Sequence, residues 1–171
     1  MIPFWKKRLT TGIVTETSDA DQRLADLRKR AKQKIAQRFA GSLAIRMVDS
    51  GSCNACEAEC NALSNPYYDL ERLGIRFVAS PRHADVMLLS GVMTHNMAKQ
   101  AEDCYQQMPA PKWVIALGDC AKDLGVFQRN FAIQGVEHTE IPIHTRIPGC
   151  PPEPMEIIQG LVDFLESLEE S

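Results

Sequence analysis

The chain has 171 residues, with 19 Lys and Arg against 22 Asp and Glu, for a formal net charge of −3. That length fits one domain able to bury about two thirds of its unfolded surface. No run of about 18 apolar residues occurs, so the sequence offers no candidate membrane-spanning helix, and it carries no recognisable nucleic-acid-binding module.

The charge is unevenly placed. Residues 1–40 hold ten Lys and Arg and four Asp and Glu, a net of +6, whereas residues 41–171 hold nine and eighteen, a net of −9. A basic arm on an acidic body suggests an attachment segment. The expected organisation is therefore an N-terminal basic arm over 1–40 and a single α/β domain over 41–171. The opening Met1-Ile-Pro-Phe-Trp-Lys-Lys-Arg8 has no apolar core of signal-peptide length and no adjacent arginine pair. It is expected to stay uncleaved and cytoplasmic.

In chain order, residues 1–18 show no sustained periodicity. From Ser18 to Phe39 the pattern is helical, with Ser18 or Asp19 as N-cap. Leu24, Leu27, Ala31 and Ile35 form a narrow stripe among Arg28, Lys29, Arg30, Lys32 and Lys34. So narrow a stripe suits a helix resting on a partner or a lipid headgroup surface better than a core helix. The plainer alternative is a solvated, partly frayed helix. Beyond Gly41, Leu43–Val48 reads as a first strand and Cys56–Leu63 as a short helix stopped by Asn65-Pro66. Tyr67–Leu73 reads as a further turn closed by Gly74. Strands are expected at Ile75–Ala79, Val86–Ser90 and Trp113–Leu117, and helices at Met93–Met108 and Pro152–Glu169. Asn130–Ile147 reads as irregular, with room for a hairpin. Strands alternating with helices over short connections predict a parallel sheet flanked by helices.

Six cysteines without an export signal point to metal or redox use rather than disulfides. Cys53 and Cys56 form a C-x₂-C pair, Cys120 follows the apolar run Trp113–Leu117, and Cys150 lies in Pro148-Gly-Cys-Pro-Pro152. Each lies at or just after the end of an apolar stretch, where parallel α/β sheets gather their ligands. Thiolates are the usual ligands of a [4Fe–4S] cluster, so the pattern reads as one such cluster built from three loops. Gly51, Gly118 and Gly149 lie shortly before the cysteines; as plain turn punctuation they need no cluster, but a bulky inorganic core also asks for such backbone freedom.

Alternatives remain at this level. Structural zinc usually takes two close-set pairs; here Cys56 and Cys120 are 64 residues apart and Cys120 and Cys150 another 30. A thioredoxin-like use of Cys53-Asn-Ala-Cys56 leaves Cys120 and Cys150 unexplained. Cys60 completes a C-x₂-C-x₃-C run and is a possible additional ligand, and Cys104 reads as a small buried apolar residue. His83 and His95 fall near strand ends, where a cofactor role competes with an ordinary surface role; His138 and His144 carry no motif. There is no Ser–His–Asp pattern, phosphate loop or dinucleotide fingerprint, so no small-molecule substrate site is expected.

Five segments occur together in order: Cys53-Asn-Ala-Cys56-Glu57, Ser80-Pro-Arg-His-Ala-Asp85, Met108-Pro-Ala-Pro-Lys-Trp113, Gly118-Asp-Cys120 and Ile147-Pro-Gly-Cys-Pro-Pro152. From about Ile45 to Leu165 the chain resembles the family of complex I 20-kDa (B-type) subunits and [NiFe]-hydrogenase small subunits. Complex I members carry two adjacent cysteines where this chain has Cys53-x-x-Cys56, which looks like the hydrogenase side. With 21 residues after Cys150 and no twin-arginine signal, it is most similar to small subunits of group 4 energy-converting hydrogenases such as formate hydrogenlyase. The family often has Gly-Gly after the third ligand; here Lys122-Asp-Leu-Gly125 offers only Gly125.

The resemblance implies a flavodoxin-like fold and one proximal [4Fe–4S] cluster held by Cys53, Cys56, Cys120 and Cys150. The subunit would carry electrons without being itself catalytic. Its implied partners are a hydrogenase-type large subunit with the [NiFe] site, a ferredoxin-like iron–sulfur subunit and membrane subunits. The implied location is peripheral, at the cytoplasmic face of the inner membrane. Glu57 and Glu59 would lie near a subunit boundary, with interface or proton-handling roles open to either, or as ordinary solvated carboxylates. Arg82 would offset cluster charge or pair with the large subunit. The competing implied roles are a B-type subunit passing electrons to quinone and, from another class, a zinc-stabilised structural subunit.

Overall fold

The computed structural model describes residues 2–11 and 18–168. Among these residues, five strands form one parallel sheet: β1 (Leu43–Asp49), β2 (Ile75–Phe77), β3 (Val86–Ser90), β4 (Trp113–Leu117) and β5 (Thr145–Ile147). Their order is β2-β1-β3-β4-β5, the flavodoxin-like arrangement. The central strands are buried on both faces and therefore read as near-continuous apolar runs; every residue of β3, Val-Met-Leu-Leu-Ser, is buried.

Among the described residues, six α-helices accompany the sheet: α1 (Ile2–Thr11), α2 (Asp19–Arg38), α3 (Ala55–Ala62), α4 (His95–Gln107), the short α5 (Cys120–Asp123) and α6 (Pro154–Ser167). One face of the sheet packs Ile45, Leu88 and Ile115 against α2, α3 and α6. The other packs Met87, Leu89 and Val114 against α4, through Ala98 and Ala101. Phe39, Trp113 and Phe164 form an edge-to-face chain, with ring centroids 5.6 and 6.2 Å apart.

α2 corrects a sequence expectation. Its stripe does not face a partner or lipid: Leu24, Leu27, Ala31 and Ile35 are buried in the main core. A narrow stripe suffices because Arg30 reaches across to α6, donating to both carboxylate oxygens of Glu166 at 3.0 and 2.7 Å. Arg28 donates to the backbone oxygens of Tyr67 and Tyr68. The flanks that a wider apolar face would cover are thus occupied by arginine side chains. Ser18 caps the helix in a reciprocal box with Asp21: the Asp21 amide donates to Ser18 Oγ at 3.2 Å, and the Ser18 amide donates to Asp21 Oδ2 at 3.1 Å.

Smaller differences have local causes. Residues 2–11, expected without regular structure, form α1; good helix formers at Lys6–Leu9 follow Pro3, which a first turn tolerates. Thr145–Ile147 pairs in parallel with Ile115–Leu117 instead of forming a hairpin; a three-residue edge strand between Pro142 and Pro148 leaves too little pattern to read. The strand expected over Ile75–Ala79 stops at Phe77. α6 starts at Pro154, with Glu153 and Glu156 forming the capping box, not at Pro152. The predicted end of that helix at Glu169 lies outside the described residues.

Candidate metal centre

The connections from β1 and β3 leave the sheet in opposite directions, opening the crevice at the carboxyl ends where such folds place ligands. All four cysteines of the predicted set lie at this end: Cys53 and Cys150 on loops, Cys56 in the first turn of α3 and Cys120 at the start of α5. At the first station Asp49 accepts the Gly51 and Ser52 amides, each at 2.7 Å, and so turns the chain out of β1. Asn54, at φ 69°, precedes α3, whose first turn carries Cys56. The exposed amides of that turn give it a favourable potential for thiolate.

The second and third stations are tied together. Asp119 donates its amide to the Gly149 oxygen at 2.9 Å and accepts the Gly149 amide at 3.0 Å through Oδ1. Cys120 and Cys150 are thereby held by one reciprocal pair. Neither Asp49 nor Asp119 stands out by sequence reasoning alone, although Asp119 directly precedes a cysteine. Gly118 requires its glycine twice over: φ is 83°, and a Cβ would lie 2.8 Å from Cys56 Sγ. Leu124 and Gly125 both take left-handed φ, 67° and 54°. The loop after Cys120 therefore keeps a conformation open to a Gly-Gly pair with one glycine, and the Val126 backbone acts against the burial-driven rise of the Cys120 thiol.

Electrostatics show the thiols to be neighbours. Burial pushes the Cys56 thiol up to about 12, and the Glu57 carboxylate, Cys120, Cys53 and Cys150 push in the same direction. Burial also raises Cys120, followed by Cys150 and Cys53. These shifts keep the free thiols protonated, and metal coordination would favour the deprotonated form. Among the described residues, no group of three or more His, Cys, Asp or Glu is placed to hold a metal ion as the chain stands. Cys56 and Cys120 each feel the charge of Cys53 and Cys150, and Gly118 keeps space beside Cys56.

The other predicted residues are more scattered. Cys60 is buried and its thiol is pushed up to about 12, first by burial and then by Cys56 and the glutamates, but Cys120 and Cys150 do not act on it. It packs in the core and lines a cavity of about 380 Å³ with Arg46, Met47, Glu57 and Phe77. Cys104 is half-buried, its thiol raised by burial, with the Arg46 guanidinium acting against that shift. Ser90 Oγ donates to Glu57 Oε1, while Glu57 Oε2 is buried and has no hydrogen-bond partner among the described residues. Glu57 is thus no freely solvated carboxylate; Glu59 is half-buried. Arg82 and His83 are exposed on the turn Pro81–His83 leading into the amino end of β3. His95 is exposed at the start of α4, and His144 accepts the Val114 amide at 3.0 Å through Nδ1. His138 Nε2 lies 3.5 Å from Arg129.

The centre is open on one side. Cys53 and Cys150 are exposed and Cys56 is only 8% exposed. Loop residues Val126 and Phe131 at the same end are 77% and 96% exposed. Apolar exposure of this kind marks a surface made for contact.

The fold is that of an α/β protein with a flavodoxin-like parallel sheet, and four of its cysteines lie at the carboxyl ends of the strands. Residues 53–164 match the family described as NADH ubiquinone oxidoreductase, 20 Kd subunit, and the chain belongs to that family. It is 42% identical over 144 residues, 82% of this chain and 86% of the relative, to a probable membrane-bound hydrogenase subunit, mbhJ, of Pyrococcus furiosus. It is 36% identical to formate hydrogenlyase subunit 7 of Escherichia coli, over 88% of this chain and 57% of that protein. A chain in the archaeal membrane-bound sulfane sulfur reductase complex superposes with a TM-score of 0.68 at 30% identity, covering 82% of this chain and 77% of that one. No helix among the described residues is long and apolar enough to cross a membrane.

Proposed function

We propose that this chain is the electron-transfer small subunit of a membrane-associated, formate hydrogenlyase-like [NiFe]-hydrogenase. One [4Fe–4S] cluster would be held by Cys53, Cys56, Cys120 and Cys150. The observation that carries the reading is the gathering of these four thiols, from three separate loops, at one end of the sheet. A cluster bound there would supply one-electron transfer at a potential tuned by charge, burial and hydrogen bonds to sulfur. The chain's own residues bind and shape. Gly118 keeps space beside Cys56, and Asp119 ties the segments of Cys120 and Cys150 together.

Buried Cys56 lies on the protein side of the centre, while exposed Cys53 and Cys150, with Val126 and Phe131, face outward. That surface suits a hydrogenase-type large subunit, and the other proposed partners are a ferredoxin-like subunit and membrane subunits. The chain would be non-catalytic and peripheral, at the cytoplasmic face of the inner membrane. Similarity to the Pyrococcus furiosus and Escherichia coli proteins supports the hydrogenase assignment. The family's description favours a second reading, a B-type subunit passing electrons to quinone.

Anaerobic purification of the tagged chain with its native partners, followed by nickel, iron and sulfide quantification, tests both. Nickel with about four irons for this subunit is the expected result. Iron and sulfide without nickel would favour the quinone reading, and zinc without sulfide would overturn both.

A further inference from the structure

The two basic helices of the first forty residues have different fates. α2 spends its apolar stripe on the core, and two of its arginines are committed to Glu166 and to the Tyr67 and Tyr68 carbonyls. α1 keeps apolar surface in contact with solvent: Trp5 is 57% exposed and Leu9 84%, with Lys6 and Lys7 exposed beside them. Trp5 and Leu9 stand one turn apart and share a face of the helix. α1 contains no acidic residue, and Lys6, Lys7 and Arg8 are consecutive.

We propose that α1 binds directly to the surface of an anionic lipid bilayer. Trp5 and Leu9 would enter the interfacial region, and Lys6 and Lys7 would meet lipid phosphates. Tryptophan is favoured at the membrane–water interface, and adjacent lysines can lay their stems on apolar surface while keeping their ammonium groups at headgroup level. Charge complementarity selects the occupant. The body beyond residue 40 carries a net −9, so an anionic surface repels it and attracts the arm. A protein partner would be recognised by paired carboxylates and shaped pockets, whereas a short acid-free helix with one tryptophan matches the uniform chemistry of headgroups. The segment also differs from the one that sequence periodicity suggests: it is α1 and not α2.

The inference takes its setting from the reading of a membrane-associated complex, but its readout needs neither iron, nickel nor partner subunits, so either can fail alone. The full chain is mixed with vesicles of phosphatidylcholine alone or with 30% (about one third) phosphatidylglycerol. Co-sedimentation is read together with tryptophan emission. Binding to the anionic vesicles and a blue shift that Trp5→Phe removes are expected. Lys6→Glu with Lys7→Glu should weaken partitioning by at least about tenfold, whereas Lys29→Glu with Lys32→Glu on α2 should leave most of it. Equal loss from the two pairs, equal binding to neutral vesicles, or no binding to either vesicle overturns the proposal. Retention by purified partner subunits alone, without vesicle binding, also overturns it and makes α1 a protein contact.

Discussion

The carboxyl ends of the strands and the helical layer of α2 and α6 beneath the sheet are built by opposite rules. The carboxyl end is made of turns: left-handed backbone at Asn54, Gly118, Leu124 and Gly125, Asp side chains holding loops, two exposed cysteines and an almost fully exposed Phe131. The helical layer is made of regular backbone and close packing, with Leu24, Leu27, Ile35, Ile158 and Phe164 fully or almost fully buried. A rigid layer is what allows the other end to be irregular, since loops position chemistry only when their anchors do not move.

Substitutions can break this division. The largest expected effect is at the open end: Cys56→Ser should reduce iron and sulfide from about four each per chain to near zero, while Cys60→Ala keeps them. Equal loss in both variants, by the same chemical assay on anaerobically reconstituted protein, would place Cys60 in the site. In the helical layer, Leu27→Ala should lower unfolding free energy by about 2–5 kcal/mol without changing the iron bound per folded chain. Leu9→Ala on exposed α1 should leave stability within about 0.5 kcal/mol, and denaturant titration of the two variants measures the contrast.

Gly118→Ala probes the boundary between the two regions. Its left-handed φ and the approach of Cys56 Sγ should cost about 1–3 kcal/mol and impair cluster loading together; a variant that loads normally would separate backbone strain from the site. Ser18→Ala, which opens the α2 capping box, should cost about 1 kcal/mol. Arg30→Ala is expected to have the smallest effect, below about 1 kcal/mol, because the bidentate pair with Glu166 is largely open to water. Thermal melts should rank these last two in that order.

How much of this was legible beforehand varies by element. β3 and β4 could be delimited to the residue, because strands buried on both faces are uninterrupted apolar runs between turn residues. The four cysteines were legible as a set from their placement after such runs and from their resemblance to family motifs. β5 was hidden because its pairing with β4 depends on a partner about thirty residues away, and the edge itself supplies only Thr-Arg-Ile. Asp49 and Asp119 were hidden because a carboxylate's use in holding a loop depends on where distant amides arrive.

The sequence alone determined the alternation of strands and helices, the charge contrast between arm and body and the placement of four cysteines after apolar runs, all carried by local pattern and composition. Only the tertiary structure decided that the stripe of α2 belongs to the core, that Cys60 stands apart from Cys120 and Cys150, and that Glu57 meets Ser90. Those outcomes depend on which surfaces meet across the sheet. Periodicity gives a helix an apolar face but does not name the surface that covers it.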